Sequence, residues 1–271
     1  MRVALAGCTA LDDPDEPALI AALAAVGVAA EGRPWDADVD WSSYNLVVVR
    51  STWDYVERRE EFLAWADAVP RLANPAAVLR WNTDKRYLQR LADAGVPVVP
   101  TTYVTSDFVA PAGEYVVKPT VSVAAMDTAR YGSGDEVAAR AHVARLVGAG
   151  REVMVQPYLA SVETHQETSL LFVGGEYSHG AQKGRVLTGV GALSPTEWDL
   201  GPREPSAAER ALADQVLAAV DEPLLYARVD LLAGQDGPLL LELELTEPFL
   251  FLDFADGAAD RFAAAIARWH S

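Results

Sequence analysis

The stretch GPLLLELELTEPFLFL, from Gly237 to Leu252, constrains the fold more than any other segment. Its leucines and phenylalanines demand burial, yet Glu242, Glu244 and Glu247 are set among them. An ionised carboxylate in apolar surroundings is costly unless something compensates its charge. A strand is predicted over Pro238–Leu245, and its alternation projects Glu242 and Glu244 from one face. Upstream, YARVDLL sets Asp230 in a second apolar strand, Leu225–Leu232, with AGQDG as the turn between them. Pairing through that turn would bring Asp230 to the same face. Three carboxylates together repel, and their pKa values rise unless a cation intervenes. Oxygen donors without His or Cys suit Mg²⁺. The plain alternative is an edge strand with its glutamates in water.

The rest of the chain reads as a covered α/β protein. Arg2–Ala6 and Tyr44–Val49 are apolar β runs, the second continuous, as in a parallel sheet covered on both faces. Helices are predicted over Glu16–Val26, with Asp15 as cap, and Arg58–Val69. Such sheets bind ligands beyond the carboxyl ends of their strands, where Arg50, Ser51, Thr52, Trp53, Asp54 and Tyr55 leave the second run. Further on come a helix over Asn82–Ala94, strands over Val98–Val104, Glu114–Lys118 and Glu152–Gln156, and a helix over Asp135–Gly148. A hairpin spans Thr168–Val173 and Glu176–Lys183. Gly184–Gly201 reads as a loop, and helices over Ala207–Val220 and Asp256–Trp269 complete the pattern. TVSVAAMDTARYGSG, after Lys118, reads as a loop or short hairpin.

Of 271 residues 51% are hydrophobic, enough for a sizeable core, and no apolar run reaches the ~20 residues that span a bilayer. The start, MRVALAG, lacks the features of a secretory signal. Cys8 is the single cysteine and forms no intrachain disulfide, which fits a cytoplasmic protein. It reads as structural or as a wall of a substrate pocket. The net charge of −17 argues against a nucleic-acid partner. Only three of the 22 cationic residues are lysine: Lys85, Lys118 and Lys183. A lysine kept against such an arginine bias suits a place needing a compact charge, such as a phosphate. Lys118 ends a strand before Pro119; Lys183 ends the hairpin, with Arg185 close by; Lys85 stands near a helix start, where an anion is favoured over a cation. Each also reads plainly as an exposed lysine. After Gln156-Pro157, the link with Tyr158 and Leu159 could form an apolar slot for a base, with Glu163 and Glu167 as ribose acceptors. In RSTWDY, Arg50 suits a carboxylate and Asp54 an ammonium, together a small zwitterion; a capping turn with a buried Trp is the plain alternative. His179 and Glu247 are further substrate candidates. No convincing Ser/His/Asp set is present.

The order of these pieces resembles the ATP-grasp ligases, and within them the small single-chain group that includes the O-ureidoserine cyclo-ligase. The resemblance runs from RSTWDY to ELTEPFLFL. It implies an α/β (α+β) ATP-grasp fold: an N-terminal open α/β substrate domain over 1–95, a central lid subdomain over 96–156 and a catalytic subdomain over 157–271, the latter two clasping ATP. Lys85 and Lys118, with Ser122, would hold phosphates. Gln156, Tyr158 and Leu159 would line the adenine slot, with Glu163 at the ribose and Glu167 near it. Lys183 and Arg228 would face the transferred phosphoryl group, and Asp230, Glu242 and Glu244 would hold two Mg²⁺. Glu244 stands here, as in this subgroup, where Asn is the usual metal ligand in the ATP-grasp superfamily. Its glycine-rich lid is also missing, since the loop after Lys118 has no glycine before Gly132; Ser122, Thr128 and Arg130 would serve instead. The implied activity is ATP-dependent activation of a carboxyl group in a small amino acid derivative, then attack by an amine, with ring closure or intermolecular amide formation both open. A nucleotide binder without catalysis and a metal-dependent hydrolase remain as alternatives, and a homo-oligomeric assembly is left open.

Overall fold

The computed structural model describes residues 1–9, 13–105, 107–184, 187 and 199–269. Three sheets organise them. The first is parallel, with β1 (Arg2–Gly7), β2 (Ala29–Pro34), β3 (Leu46–Ser51) and β4 (Leu72–Ala73) in the order β2-β1-β3-β4. Every residue of β3 is buried, as its unbroken apolar run requires. Helix α1 (Glu16–Ala25) covers one face; α2 (Arg59–Ala68) and α3 (Ala76–Asn82) cover the other.

The helix expected over Asn82–Ala94 is divided. α3 ends at Asn82 and α4 spans Tyr87–Asp93. Lys85 lies in the turn between them, and its N–H donates to Thr120 O (2.9 Å). A tertiary bond thus outweighs the local helical pattern. Asp15 occupies the N-cap of α1 without a side-chain cap bond; its carboxylate instead accepts from the N–H groups of Leu250 and Leu252.

The second sheet is antiparallel, with β5 (Thr102–Val104), β6 (Tyr115–Pro119), β7 (Ala129–Tyr131) and β8 (Val153–Pro157) in the order β5-β8-β6-β7, backed by α5 (Glu136–Gly148). The hairpin reading after Lys118 holds, since β6 pairs β7 with Tyr115 opposite Tyr131. A single turn, α6 (Val162–His165), leads to the third sheet. It consists of β9 (Glu167–Val173), β10 (Glu176–Lys183), β11 (Leu200–Pro202), β12 (Tyr226–Ala233) and β13 (Pro238–Glu244), in the order β11-β10-β9-β12-β13. Helix α7 (Ala207–Ala218), opened by a Ser206/Glu209 capping box, packs on it. Arg185 and most of the loop expected over Gly184–Gly201 fall outside the described residues.

Helix α8 (Ala258–Arg268) returns to the first sheet, where Phe262 and Ile266 share a core with Val3, Leu5, Leu23 and Val48. That core also takes in Leu171, Val173, Ala181 and Tyr226 of the third sheet. The first and third sheets are therefore joined through buried apolar surface, which holds the segments around a common cleft in fixed relation. Among the described residues no helix is long and apolar enough to cross a membrane.

Candidate active site

Antiparallel pairing of β12 and β13 sets Asp230 opposite Glu242 and Arg228 opposite Glu244. Residues two apart on a strand share a face, so all four lie on one side. The carboxylates meet cations rather than one another. Arg228 binds Asp230 (2.9 Å) and Glu244 (2.5 Å). Lys183, at the end of β10, binds Asp230 (3.0 Å) and Glu167. Ser169 donates to Asp230 (2.7 Å). Lys118, carried across from β6, binds Glu242 at 2.6 Å and so links the second sheet to the third.

The electrostatics follow from these pairs. Burial disfavours the charged form of Asp230 and Glu242, but their cations outweigh it. Asp230 stays well below the usual carboxylate range through Arg228 and Lys183, and Glu242 is lowered to about 2 through Lys118 and Lys85. Burial prevails at Glu167, raised to about 8 despite Lys183, and at Glu244, raised despite Arg228. It prevails again at Glu247, where Glu244 adds to it and the carboxyl reaches about 8.

All but Asp230 and Ser169 of these groups line a cleft of about 820 Å³ between the sheets. Lys85, Lys118, Ser122, Gln156, Tyr158, Leu159, Glu167, Lys183, Arg228, Glu242 and Glu244 all line it, as do Trp53, Asp54 and Glu247. Lys85 donates to Ser122 O at 2.7 Å. Gln156 donates to Thr101 Oγ1 (2.9 Å), and the Tyr158 N–H to Glu114 O (2.8 Å). Arg130, expected near phosphate, instead stacks over the Tyr158 ring, 3.5 Å from its centroid, and pairs with Glu114 and Glu163. Glu163 thus sits beside Tyr158, accepting from its hydroxyl (3.1 Å), rather than on the cleft wall.

The remaining candidates lie elsewhere. Arg50 is 1% exposed, paired with Asp13 (3.1 Å) and Asp15 (3.6 Å), and donates to Pro248 O. It is a buried strut and not a wall of the cleft, and Ser51 and Thr52 beside it are buried too. His179 Nε2 meets Leu250 O at 2.9 Å and also lies off the cleft. Asp54 reaches the cleft, but Trp35 (2.8 Å) and Arg58 (2.7 Å) occupy its oxygens, so it does not offer the free carboxylate expected for an ammonium. Asp230 is 1% exposed and absent from the cleft wall. Among the described residues no three His, Cys, Asp or Glu side chains converge as a ready-made metal cluster, because Arg228, Lys183 and Lys118 stand between the acids. Glu242 and Glu244 still present hard oxygen donors to the cleft, which fit a Mg²⁺ ion; Asp230 fits only if its cations turn away.

Sequence reasoning missed Asn82 and Tyr87. β13 is the edge of its sheet, and an open edge exposes unpaired backbone groups. Asn82 donates to Leu243 O (2.7 Å) and accepts from Leu245 N (2.8 Å), while Tyr87 OH accepts from Leu243 N (2.9 Å). These bonds hold the glutamate-bearing strand from its free side. The lack of glycine in the loop after Lys118 is also explained. Ala124, Ala125 and Asp127 adopt φ values of 48°, 57° and 53°, the conformation that glycine usually supplies. Asp127 is pinned there by Arg145 (2.7 Å) and Arg151. Each such L-residue costs roughly 1–2 kcal/mol. The variant Ala124→Gly/Ala125→Gly therefore keeps or gains stability in urea unfolding, although Ala→Gly at ordinary φ costs about 0.4–1 kcal/mol per site. A loss above about 2 kcal/mol would contradict this account of the loop.

Three sheets around such a cleft define the ATP-grasp class. A RimK-domain ATP-grasp protein from Sphaerobacter thermophilus shares the fold at a TM-score of 0.71 and 20% identity, covering 98% of this chain and 100% of that one. D-alanine–D-alanine ligase from Bacillus anthracis, solved with ATP, does so at 0.69 and 14% identity, over 98% and 95% of the two chains. More similar still is the cycloserine biosynthesis protein DcsG of Streptomyces lavendulae, 43% identical over 279 residues, 94% of this chain and 93% of that protein. A crystal structure of D-cycloserine synthetase DcsG superposes with a TM-score of 0.90 at 40% identity, over 98% and 99% of the two chains. The family model for the N-terminal domain of D-cycloserine synthetase DcsG matches residues 3–74. The chain belongs to the DcsG family of ATP-grasp ligases.

Proposed function

We propose that this protein is an ATP- and Mg²⁺-dependent cyclo-ligase that phosphorylates the carboxyl group of O-ureidoserine and closes the cycloserine ring. The observation that carries the reading is the single cleft in which Lys85, Lys118, Lys183 and Arg228 stand among Glu167, Glu242 and Glu244. Phosphoryl transfer needs charge neutralisation and positioning more than a side-chain nucleophile. Membership of the DcsG family adds the substrate class.

In this reading Gln156, Tyr158 and Leu159 receive the adenine, and Glu163, beside Tyr158, reaches the ribose only by turning from Arg130. Lys85 and Lys118 bind phosphates, Lys118 leaving Glu242 to do so. Lys183 and Arg228 face the phosphoryl group in transfer. Glu242 and Glu244 would hold Mg²⁺, which would supply neutralisation of phosphate charge and polarisation of the transferred group. A second ion would require Asp230, released as Lys183 and Arg228 turn to phosphate. The ureido nitrogen bonded to oxygen then forms the bond to the acyl carbon, losing its proton as phosphate leaves, and water removes the carbamoyl group as CO₂ and ammonia to give cycloserine. Residues 1–95 supply the acceptor side, 96–156 the lid and 157–271 the catalytic strands. The ATP and free Mg²⁺ needed are those of a cytoplasm.

Incubation with ATP, Mg²⁺ and O-ureidoserine should release ADP and phosphate together with a product of cycloserine mass. A product containing two substrate units would favour intermolecular ligation. No nucleotide consumption with O-ureidoserine would overturn the proposal.

A further inference from the structure

The buried and half-buried carboxylates on the cleft wall are compensated, with one exception. Asp54 has Arg58, Glu167 has Lys183, Glu242 has Lys118 and Glu244 has Arg228, while Glu57 is exposed. Glu247 is 9% exposed, lines the cleft, and has no ion-pair partner among the described residues. The Tyr55 phenol lies near enough to favour its charged form. Lys85 and Arg228 are near enough to favour its charge, but they bind Ser122 and the Asp230/Glu244 pair. A buried carboxylate without a cation is expensive, and one that faces a cleft can gain its cation from a ligand.

We propose that Glu247 is the ammonium site of the amino acid substrate, the subsite that selects an α-amino compound over one without the amine. This rests on the ligase reading above and adds the residue that reads the substrate's positive end. Its surroundings suit the role. Trp53, Tyr55, Phe249 and Phe251 line the same cleft, and aromatic faces attract cations. The backbone is fixed there as well: Trp53 Nε1 donates to Glu247 O (3.2 Å) and Arg50 to Pro248 O (3.2 Å). Glu247 follows Glu244 by three residues, so an ammonium held there leaves the substrate carboxyl free to turn toward the phosphoryl end. The ammonium would supply the charge that Tyr55 alone does not, and it takes over the role that Asp54, held by Trp35 and Arg58, does not offer.

The test is calorimetric binding with a non-hydrolysable ATP analogue and Mg²⁺, which is independent of turnover. Wild-type protein should bind O-ureidoserine about 10²-fold tighter than its deamino analogue, 3-(ureidooxy)propanoate. Glu247→Gln should reduce that ratio to within about 3-fold by weakening O-ureidoserine alone, with affinity for the ATP analogue unchanged, and Glu247→Asp should recover part of the selectivity. A purely structural Glu247 would weaken both compounds equally. Equal binding of the two by wild type, or an undiminished ratio in Glu247→Gln, overturns the ammonium site. Wild type that binds neither compound overturns it together with the function. Selective binding without ring closure overturns the function alone.

Discussion

Glu242→Gln is expected to lower ATP-dependent turnover on the order of 10²–10³-fold while leaving the protein folded. In the structure Glu242 is bound by Lys118 at 2.6 Å and lowered to about 2, with Lys85 also favouring its charge. The substitution keeps the shape and removes the charge. On the proposed function two losses follow: the ligand assigned to Mg²⁺ and the ion-pair partner of Lys118. The second loss makes a structural contribution, because breaking a buried pair leaves the other charge uncompensated. Lys118→Met/Glu242→Gln separates the two. It removes both charges, so stability in urea should return toward wild type, whereas turnover stays lost. If Glu242→Gln turns over within about 3-fold of wild type, the metal role assigned to β13 is wrong.

The linkage has a pH signature. Folding lowers the Glu242 pKa from 4.5 to about 2, so its pair with Lys118 adds stability above the unfolded value, and that contribution is lost as pH falls from about 4.5 toward 2. Wild type should lose more stability across that window than the double variant, as read by urea midpoints at each pH.

The core of this site was legible because it follows from alternation. Strand period two put Glu242 and Glu244 on one face, and the AGQDG turn set Asp230 opposite Glu242. The same period held the answer to how they are compensated, since Arg228 and Asp230 are two apart on β12 and Arg228 falls opposite Glu244. Other parts had no local signal. β2, with the sequence AAEGRP, β4 with two residues and β11 with three are short or polar strands whose partners lie far along the chain. Asn82 reaches Leu243 and Leu245, more than 160 positions away, so neither residue shows in its own neighbourhood why an asparagine stands there. Arg50 illustrates the same limit. Its segment leaves a parallel strand at the end where ligands bind, and only the folded chain shows that Asp13 and Asp15 have come round to meet it.

Arg50→Met should therefore destabilise the fold by about 3–5 kcal/mol, an effect on folding rather than on substrate affinity. The guanidinium is 1% exposed and stands against Asp13 and Asp15, themselves buried. Burial raises the Asp15 pKa even with Arg50 beside it, and Asp13 adds to the rise. Without Arg50, two carboxylates would share an apolar enclosure or take up protons. Arg50 also donates to Pro248 O, and Asp15 accepts from Leu250 and Leu252. The unit therefore joins the end of β3 to the segment that carries Glu247 and Phe249. Methionine fills similar volume, so little of the loss comes from a cavity. Adding Asp13→Asn removes one stranded charge while keeping the oxygen that accepts from Asp15 N, and should recover part of the stability. Urea unfolding of the single and double variants measures both effects. A single variant with an unshifted midpoint and a raised KM for O-ureidoserine would return Arg50 to the substrate; a lowered midpoint that Asp13→Asn partly restores would keep it as the strut on which the substrate side is built.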